Sequence, residues 1–118
     1  MNREEFERVV AKALDELPEE VAGHLDNIAV VVEEEPTDED IVEAGLDPEA
    51  DTLFGVYQGL ALPDRGGSYG NALPDRIVIY RRPLLAECDD RTELIREIQD
   101  TVVHEIGHYF GLGEEDLP

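Results

Sequence analysis

Apolar positions return along this chain with two different periods. After Asn2, the residues Phe6, Val9, Val10, Ala13, Leu14 and Leu17 recur at helical spacing, and Glu, Arg and Lys fill the other face. Such a stripe predicts an amphipathic helix packed on a sheet. Asn2 is a good cap, and Glu5 three positions later completes a capping-box pattern. Pro18 interrupts the stripe, and Pro18-Glu19-Glu20 predicts one further helical turn as far as Gly23. The period then changes. Ile28-Ala29-Val30-Val31-Val32 is a β-branched run between polar clusters, which predicts a buried strand. Thr52-Leu53-Phe54-Gly55-Val56-Tyr57-Gln58 predicts a second strand with Gly55 as a candidate bulge. Ile77-Val78-Ile79-Tyr80 predicts a third, ended by Arg81-Arg82-Pro83. Last comes a helix capped by Asp90, with Glu93 at its third position. On a helical wheel its Ile95, Ile98, Val102, Ile106 and Phe110 share one face, while Thr101, His104 and His108 fall roughly opposite.

Two stretches interrupt this order. From Glu33 to Asp51 the chain is rich in acids, with one helical turn expected around Asp38–Ala44 behind Thr37 as cap. From Gly59 to Asp75 it is rich in turn residues, and Ala61-Leu62-Pro63-Asp64-Arg65 is echoed at Ala72-Leu73-Pro74-Asp75-Arg76. One echo is too little for a repeat architecture. A loop of that length in a compact domain is more often functional than idle, which makes it a candidate rim for a cleft. The fold class expected is α+β: one domain over residues 1–118, with an N-terminal and a C-terminal helix packed on a small mixed sheet of three or four strands.

Charge narrows the partners. Thirty acids against nine bases leave the chain at −21. A field of that sign repels phosphates and anionic lipid, so neither nucleic acid nor membrane is expected as a partner. The acidic runs read first as solvated surface. MNREEFERVV puts no apolar run behind a basic start, and no stretch has the length of a transmembrane helix, so neither a signal peptide nor a span is expected. The lone Cys88 excludes an internal disulfide and fits a reducing cytoplasm. It reads as an inert thiol just before the last helix, the sharper alternative being a thiolate that caps a metal.

The chemistry sits near the end, in His104-Glu105-Ile106-Gly107-His108-Tyr109-Phe110-Gly111-Leu112-Gly113-Glu114. Residues four apart on a helix share a face, so His104 and His108 can both reach one zinc ion. Glu105 lies about 100° round the helix from His104, beside the metal, where it can take a proton from metal-bound water as general base. A catalytic zinc needs a third protein ligand and an open position. Gly111 and Gly113 let the chain turn back after the helix. Glu114 then arrives ten residues after His104, with Glu115 and Asp116 offering the same carboxylate one and two positions on. Tyr80, Arg81 and Arg82 are candidates for stabilising an oxyanion, although each is more often a packing or surface residue.

This segment resembles the zincin metallopeptidases, and more narrowly a small single-domain bacterial zincin-like family with HExxHxxGxx followed by an acid. The similarity extends through Leu73–Leu84 (LPDRIVIYRRPL) and Asn27–Pro36 (NIAVVVEEEP). It implies a minimal zincin fold and a zinc-dependent peptidase acting on a peptide or protein substrate. It also implies an extended substrate laid along a sheet edge, for which Thr52–Gln58 or the loop after it is the strand to nominate. The chain departs from the metzincins in having Glu114 where they carry a third His, and in lacking their Met-turn, because Met1 is the only methionine. Two other function classes fit the same residues: a metal-stabilised binding or regulatory module, and an acidic interaction domain without metal. Metal content separates the last from the others, and replacement of Glu105 separates catalysis from binding.

Overall fold

The structure, a computed structural model, describes residues 1–26, 28–59 and 75–110, with side chains as far as 107 in the last stretch. The expected rim loop, apart from its end residues Gly59 and Asp75, and Glu114 with its neighbours lie outside the described residues. Helix α1 (Arg3–Asp15) starts where the capping pattern places it: the Asn2 side chain accepts from the Glu5 N–H and the Glu5 side chain accepts from the Asn2 N–H. Phe6, Val9, Val10 and Ala13 are its buried residues. Pro18 opens α2 (Glu19–Ala22), and a 3-10 turn follows over Gly23–Leu25.

Strand β1 (Ile28–Glu33) leads into the acidic stretch, where α3 (Asp38–Glu43) stands behind a second capping box built by Thr37 and Asp40. Strands β2 (Gly55–Gln58) and β3 (Asp75–Tyr80) complete a three-stranded sheet in the order β1-β3-β2. β1 runs parallel to β3, with Val30 opposite Ile77 and Val32 opposite Ile79. β2 runs antiparallel to β3, with Gly55 opposite Ile79 and Tyr57 opposite Ile77. The fold is the α+β class expected. β2 is shorter than the apolar run before it, although the Tyr80 N–H still reaches the Phe54 carbonyl at 2.9 Å.

One expectation is corrected. Arg81-Arg82-Pro83 does end β3, but it also opens a helix, α4 (Arg81–Glu87). Pro83 falls in its first turn, where the missing N–H has no intrahelical partner to lose. The final helix α5 (Arg91–Phe110) begins after Asp90, whose carboxylate accepts from the Glu93 N–H at 2.8 Å. No helix among the described residues is long and apolar enough to cross a membrane.

The alternation of side chains across the sheet divides the core. Ile77 and Ile79 share one buried cluster with α1, and with Leu94, Ile98, Val102 and Ile106 of α5. Val78 and Tyr80 turn to the other face, where Tyr80 is fully buried and its hydroxyl meets Asp40 Oδ2 at 3.3 Å. Burial raises the Tyr80 pKa and the facing Asp40 raises it further. Asp40 is held below the usual carboxylate range, first by the Thr37 N–H. α1 and α5 are tied by the Gln99 amide, which donates to the Ala13 carbonyl at 2.9 Å.

The bases gather where α1, β1 and α4 meet. Arg81 donates through Nε to both Glu34 oxygens at 3.0 Å and through Nη1 to the Met1 carbonyl, while Arg3 donates to the Val32 carbonyl. Arg82 lies near Glu34 and Glu35. The hydrogen bond from Arg81 holds the Glu34 carboxyl below its ordinary pKa. A depressed carboxylate stabilises the fold above its unfolded pKa and loses that effect as pH falls through the folded value. Glu34→Gln should therefore lower the thermal midpoint at pH 7, and the deficit should close in acid, where wild-type Glu34 is itself neutral. Melting curves taken from pH 7 downward into acid check this; a deficit that stays constant across the whole range would show that the charge is not what matters.

Candidate active site

Helix α5 packs against β2, which among the described residues is the edge strand opposite β1. Its buried stripe, one residue per turn from Leu94 to Ile106, fixes its rotation against the core. With that rotation His104 is exposed and Glu105 is half-buried. Between them and the segment entering β2 lies a cleft of about 280 Å³. Thr52, Leu53, Phe54 and Gly55 form its strand side; Glu97, Asp100, Thr101, His104 and Glu105 form its helix side. Beside His104, the ionisable residues lining it among those described are all acids. The potential in the cleft accordingly favours a cation.

His104 Nδ1 lies 2.9 Å from the Asp100 carbonyl oxygen, one turn back on the same helix. A carbonyl only accepts, so Nδ1 is the donor here, which leaves Nε2 as the nitrogen a neutral ring would turn to a metal. That is the tautomer a metal-binding imidazole requires, held by an outer hydrogen bond of the kind that orients such ligands. Glu105 extends the other way. Its Oε1 accepts from the Tyr57 N–H at 2.9 Å, so the helix carboxylate rests on the backbone of the edge strand.

The structure thus brings His104 and Glu105 to one cleft. His108 follows one turn later on α5, with its side chain outside the described residues, as is Glu114. Among the described residues no group of three His, Cys, Asp or Glu side chains could hold a metal ion. What is described fits a cation site in tautomer, exposure and charge.

Other candidates are engaged elsewhere. Tyr80 is fully buried against Asp40, and Arg81 and Arg82 meet Glu34 and Glu35, so all three belong to the fold. Cys88 precedes α5, and His104 stands 13 residues beyond the Arg91 start of that helix. At a rise of about 1.5 Å per residue the separation is about 20 Å, too far for a thiolate to cap a metal at His104. Gly55, expected as a bulge, pairs in regular register with Ile79. Its reason is proximity: a Cβ there would lie 2.7 Å from Thr101 Cγ2 and 2.8 Å from the Val78 oxygen. The Tyr57 amide went unread in the sequence because any residue but proline supplies one. A glycine inside an apolar strand was the available signal.

An HExxH helix beneath the edge strand of a small α+β domain defines the class of zincin-like proteins. Residues 25–118 match the zincin-like metallopeptidase family, and the chain belongs to it. A conserved hypothetical protein from Thermo thermophilus has a similar fold, with a TM-score of 0.56 and 21% identity over 93% of this chain and 94% of its own. No curated protein matches the chain.

The surroundings of Cys88 yield a test of its inertness. Burial, and then the charges of Glu93, Glu97, Glu87 and Asp89, push its thiol up to about 11. Because the thiolate is the nucleophile, alkylation by iodoacetamide should be slow at pH 8 and still rising above pH 9. Zinc uptake by Cys88→Ser should equal that of wild type. A thiol that reacts fully at pH 7, or a loss of zinc in the variant, would put Cys88 back at the metal.

Proposed function

We propose that this protein is a zinc-dependent peptidase, with His104 and His108 as metal ligands, Glu114 as the third, and Glu105 as general base. The observation that carries the reading is the pairing of an imidazole engaged through Nδ1 by the Asp100 carbonyl with a neighbouring carboxylate held at the same cleft. Membership of the zincin-like metallopeptidase family supports it. Zinc held there would supply an acidified water and a Lewis acid for the scissile carbonyl. The remaining work falls to this chain's own groups. Asp100 fixes the tautomer of His104 through its backbone oxygen. Glu105 takes the proton from the attacking water and returns it to the leaving amine. The outward edge of β2 is where an extended peptide substrate would pair. The acidic cleft disfavours nucleic acid and anionic lipid as partners.

Purified, untagged protein should take up about one zinc per chain, and His104→Ala or His108→Ala should abolish this. Glu105→Gln should keep the zinc while hydrolysis of a broad peptide library disappears. Zinc retained in both histidine variants would place the metal elsewhere. Zinc-loaded wild type that cleaves nothing in the library would turn the reading to a metal-stabilised binding module.

The third ligand is tested separately, because spacing leaves Glu114, Glu115 and Asp116 as neighbours. Losing a ligand should cost at least as much as the roughly 10–100-fold that follows loss of an outer-shell partner. Glu114→Ala should therefore weaken zinc binding by well over tenfold, and Glu115→Ala should leave it nearly unchanged. A loss confined to Asp116→Ala would move the ligand two positions without touching His104, Glu105 or His108. No loss in any of the three would place the third ligand outside this segment, in another part of the chain or in a neighbouring one.

A further inference from the structure

The Glu105 carboxylate is held from the sheet, and two features of β2 make this possible. The first is the direction of an amide. Because Tyr80 N–H donates to the Phe54 carbonyl, the pair Phe54–Tyr80 is of the hydrogen-bonded type. Antiparallel pairing alternates, so Val56 and Gln58 also bond β3, while Gly55 and Tyr57 point their N–H and C=O away from it. The Tyr57 N–H thus points away from β3, flanked by two residues locked into the ladder, and Glu105 Oε1 accepts from it at 2.9 Å.

The second feature is the missing Cβ of Gly55. Thr101 precedes Glu105 by one turn of α5, as Gly55 precedes Tyr57 by one pleat of β2. The hypothetical Cβ would come within 2.8 Å of two groups, Thr101 Cγ2 and the Val78 oxygen, one of them backbone. A side chain at position 55 would press on Thr101 of the helix and on the Val78 carbonyl of β3 together, so β2 must shift there and the Tyr57–Glu105 contact shifts with it.

We propose that Gly55 and the backbone amide of Tyr57 are the positioning device for the general base. The amide fixes one carboxylate oxygen, Oε1, and leaves Oε2, which has no hydrogen-bond partner among the described residues, to receive the proton. A glutamate has three rotatable bonds, and misplacing a reacting group by 1 Å can cost about a hundredfold in rate. The device rests on Glu105 being the base. It also limits where a substrate can pair, since the Tyr57 N–H is already taken and the outward groups of Gly55, at the mouth of the cleft, are next along the edge.

Two measurements test it together. The first is amide hydrogen exchange by NMR. The Tyr57 amide should exchange at least tenfold faster in Glu105→Ala than in wild type, while Val56 and Gln58 stay protected and report an intact sheet; in Gly55→Ala it should also exchange at least tenfold faster, and by a larger factor than Val56 or Gln58. The second is hydrolysis of fluorescein-labelled casein by zinc-loaded protein. Gly55→Ala should lose about tenfold to a hundredfold in kcat with KM and zinc stoichiometry nearly unchanged. Tyr57→Pro, which removes an edge N–H and no ladder bond, should do the same. Equal Tyr57 exchange in wild type and Glu105→Ala would overturn the proposal, as would wild-type kcat in zinc-loaded Gly55→Ala. A rise in KM alone would overturn it too, by making Gly55 a substrate contact. Wild type that cleaves no casein, with its Tyr57 amide still protected by Glu105, would remove the peptidase reading while supporting the hydrogen-bonded device by exchange.

Discussion

The close approach of one helix to one strand governs the cleft. α5 must bury Leu94, Ile98, Val102 and Ile106 against the sheet, and that stripe sets its rotation. At about 100° per residue, the order round the helix is then Val102, Ile98, Glu105, Thr101 and His104. Glu105 borders the buried stripe and meets the edge strand; His104 stands further round and faces solvent. A helix rotated by one residue would bring His104 to the edge strand and carry Glu105 into the buried face. Core packing and the layout of the site are therefore one constraint.

The charges divide along the same line. In a chain at −21 the few arginines near the fold's seams are occupied: Arg3, Arg81 and Arg82 surround Glu34 where α1, β1 and α4 converge. They offset the charge of Glu34 and bind open backbone carbonyls at Met1 and Val32. Among the described residues no Arg or Lys lines the cleft beside Glu97, Asp100 and Glu105. Charge that would be costly beside a phosphate is favourable beside a divalent cation. The excess acidity of the surface and the polarity of the cleft reinforce each other there.

Much of this was legible in the sequence, for reasons that can be stated residue by residue. Asn2, Thr37 and Asp90 cap helices because their side chains satisfy orphan N–H groups locally, and local chemistry is visible in a local window. The β-branched runs at 28–32 and 77–80 became β1 and β3, and the second is buried on both faces, Val78 and Ile79 alike. What stayed hidden was decided at a distance. α4 was missed because a proline after two arginines looks like a stop, whereas in the first turn it is harmless. Tyr80 could be read as an oxyanion contact or as packing, and only the sheet, which turns it toward Asp40 of α3, decides for packing. Leu94 was left off the buried face, although it sits a turn before Ile98. Gly55 was visible as an anomaly, but only the helix crossing it explains why.

A base held by backbone differs in kind from one held by a side chain. A partner side chain could be exchanged, lost or moved to another rotamer; the amide of a strand can only be removed by proline or carried away with the strand. Its position is as well defined as the ladder that flanks it, here Val56 and Gln58 against β3. The constraint therefore passes from the residue that donates to the residue that lets donor and acceptor meet. Tyr57 itself is set by other needs, its ring packed against the core and its hydroxyl 2.9 Å from Asp75. The demand falls on position 55, where the strand must carry no side chain so that the helix can come close enough for a carboxylate to reach across.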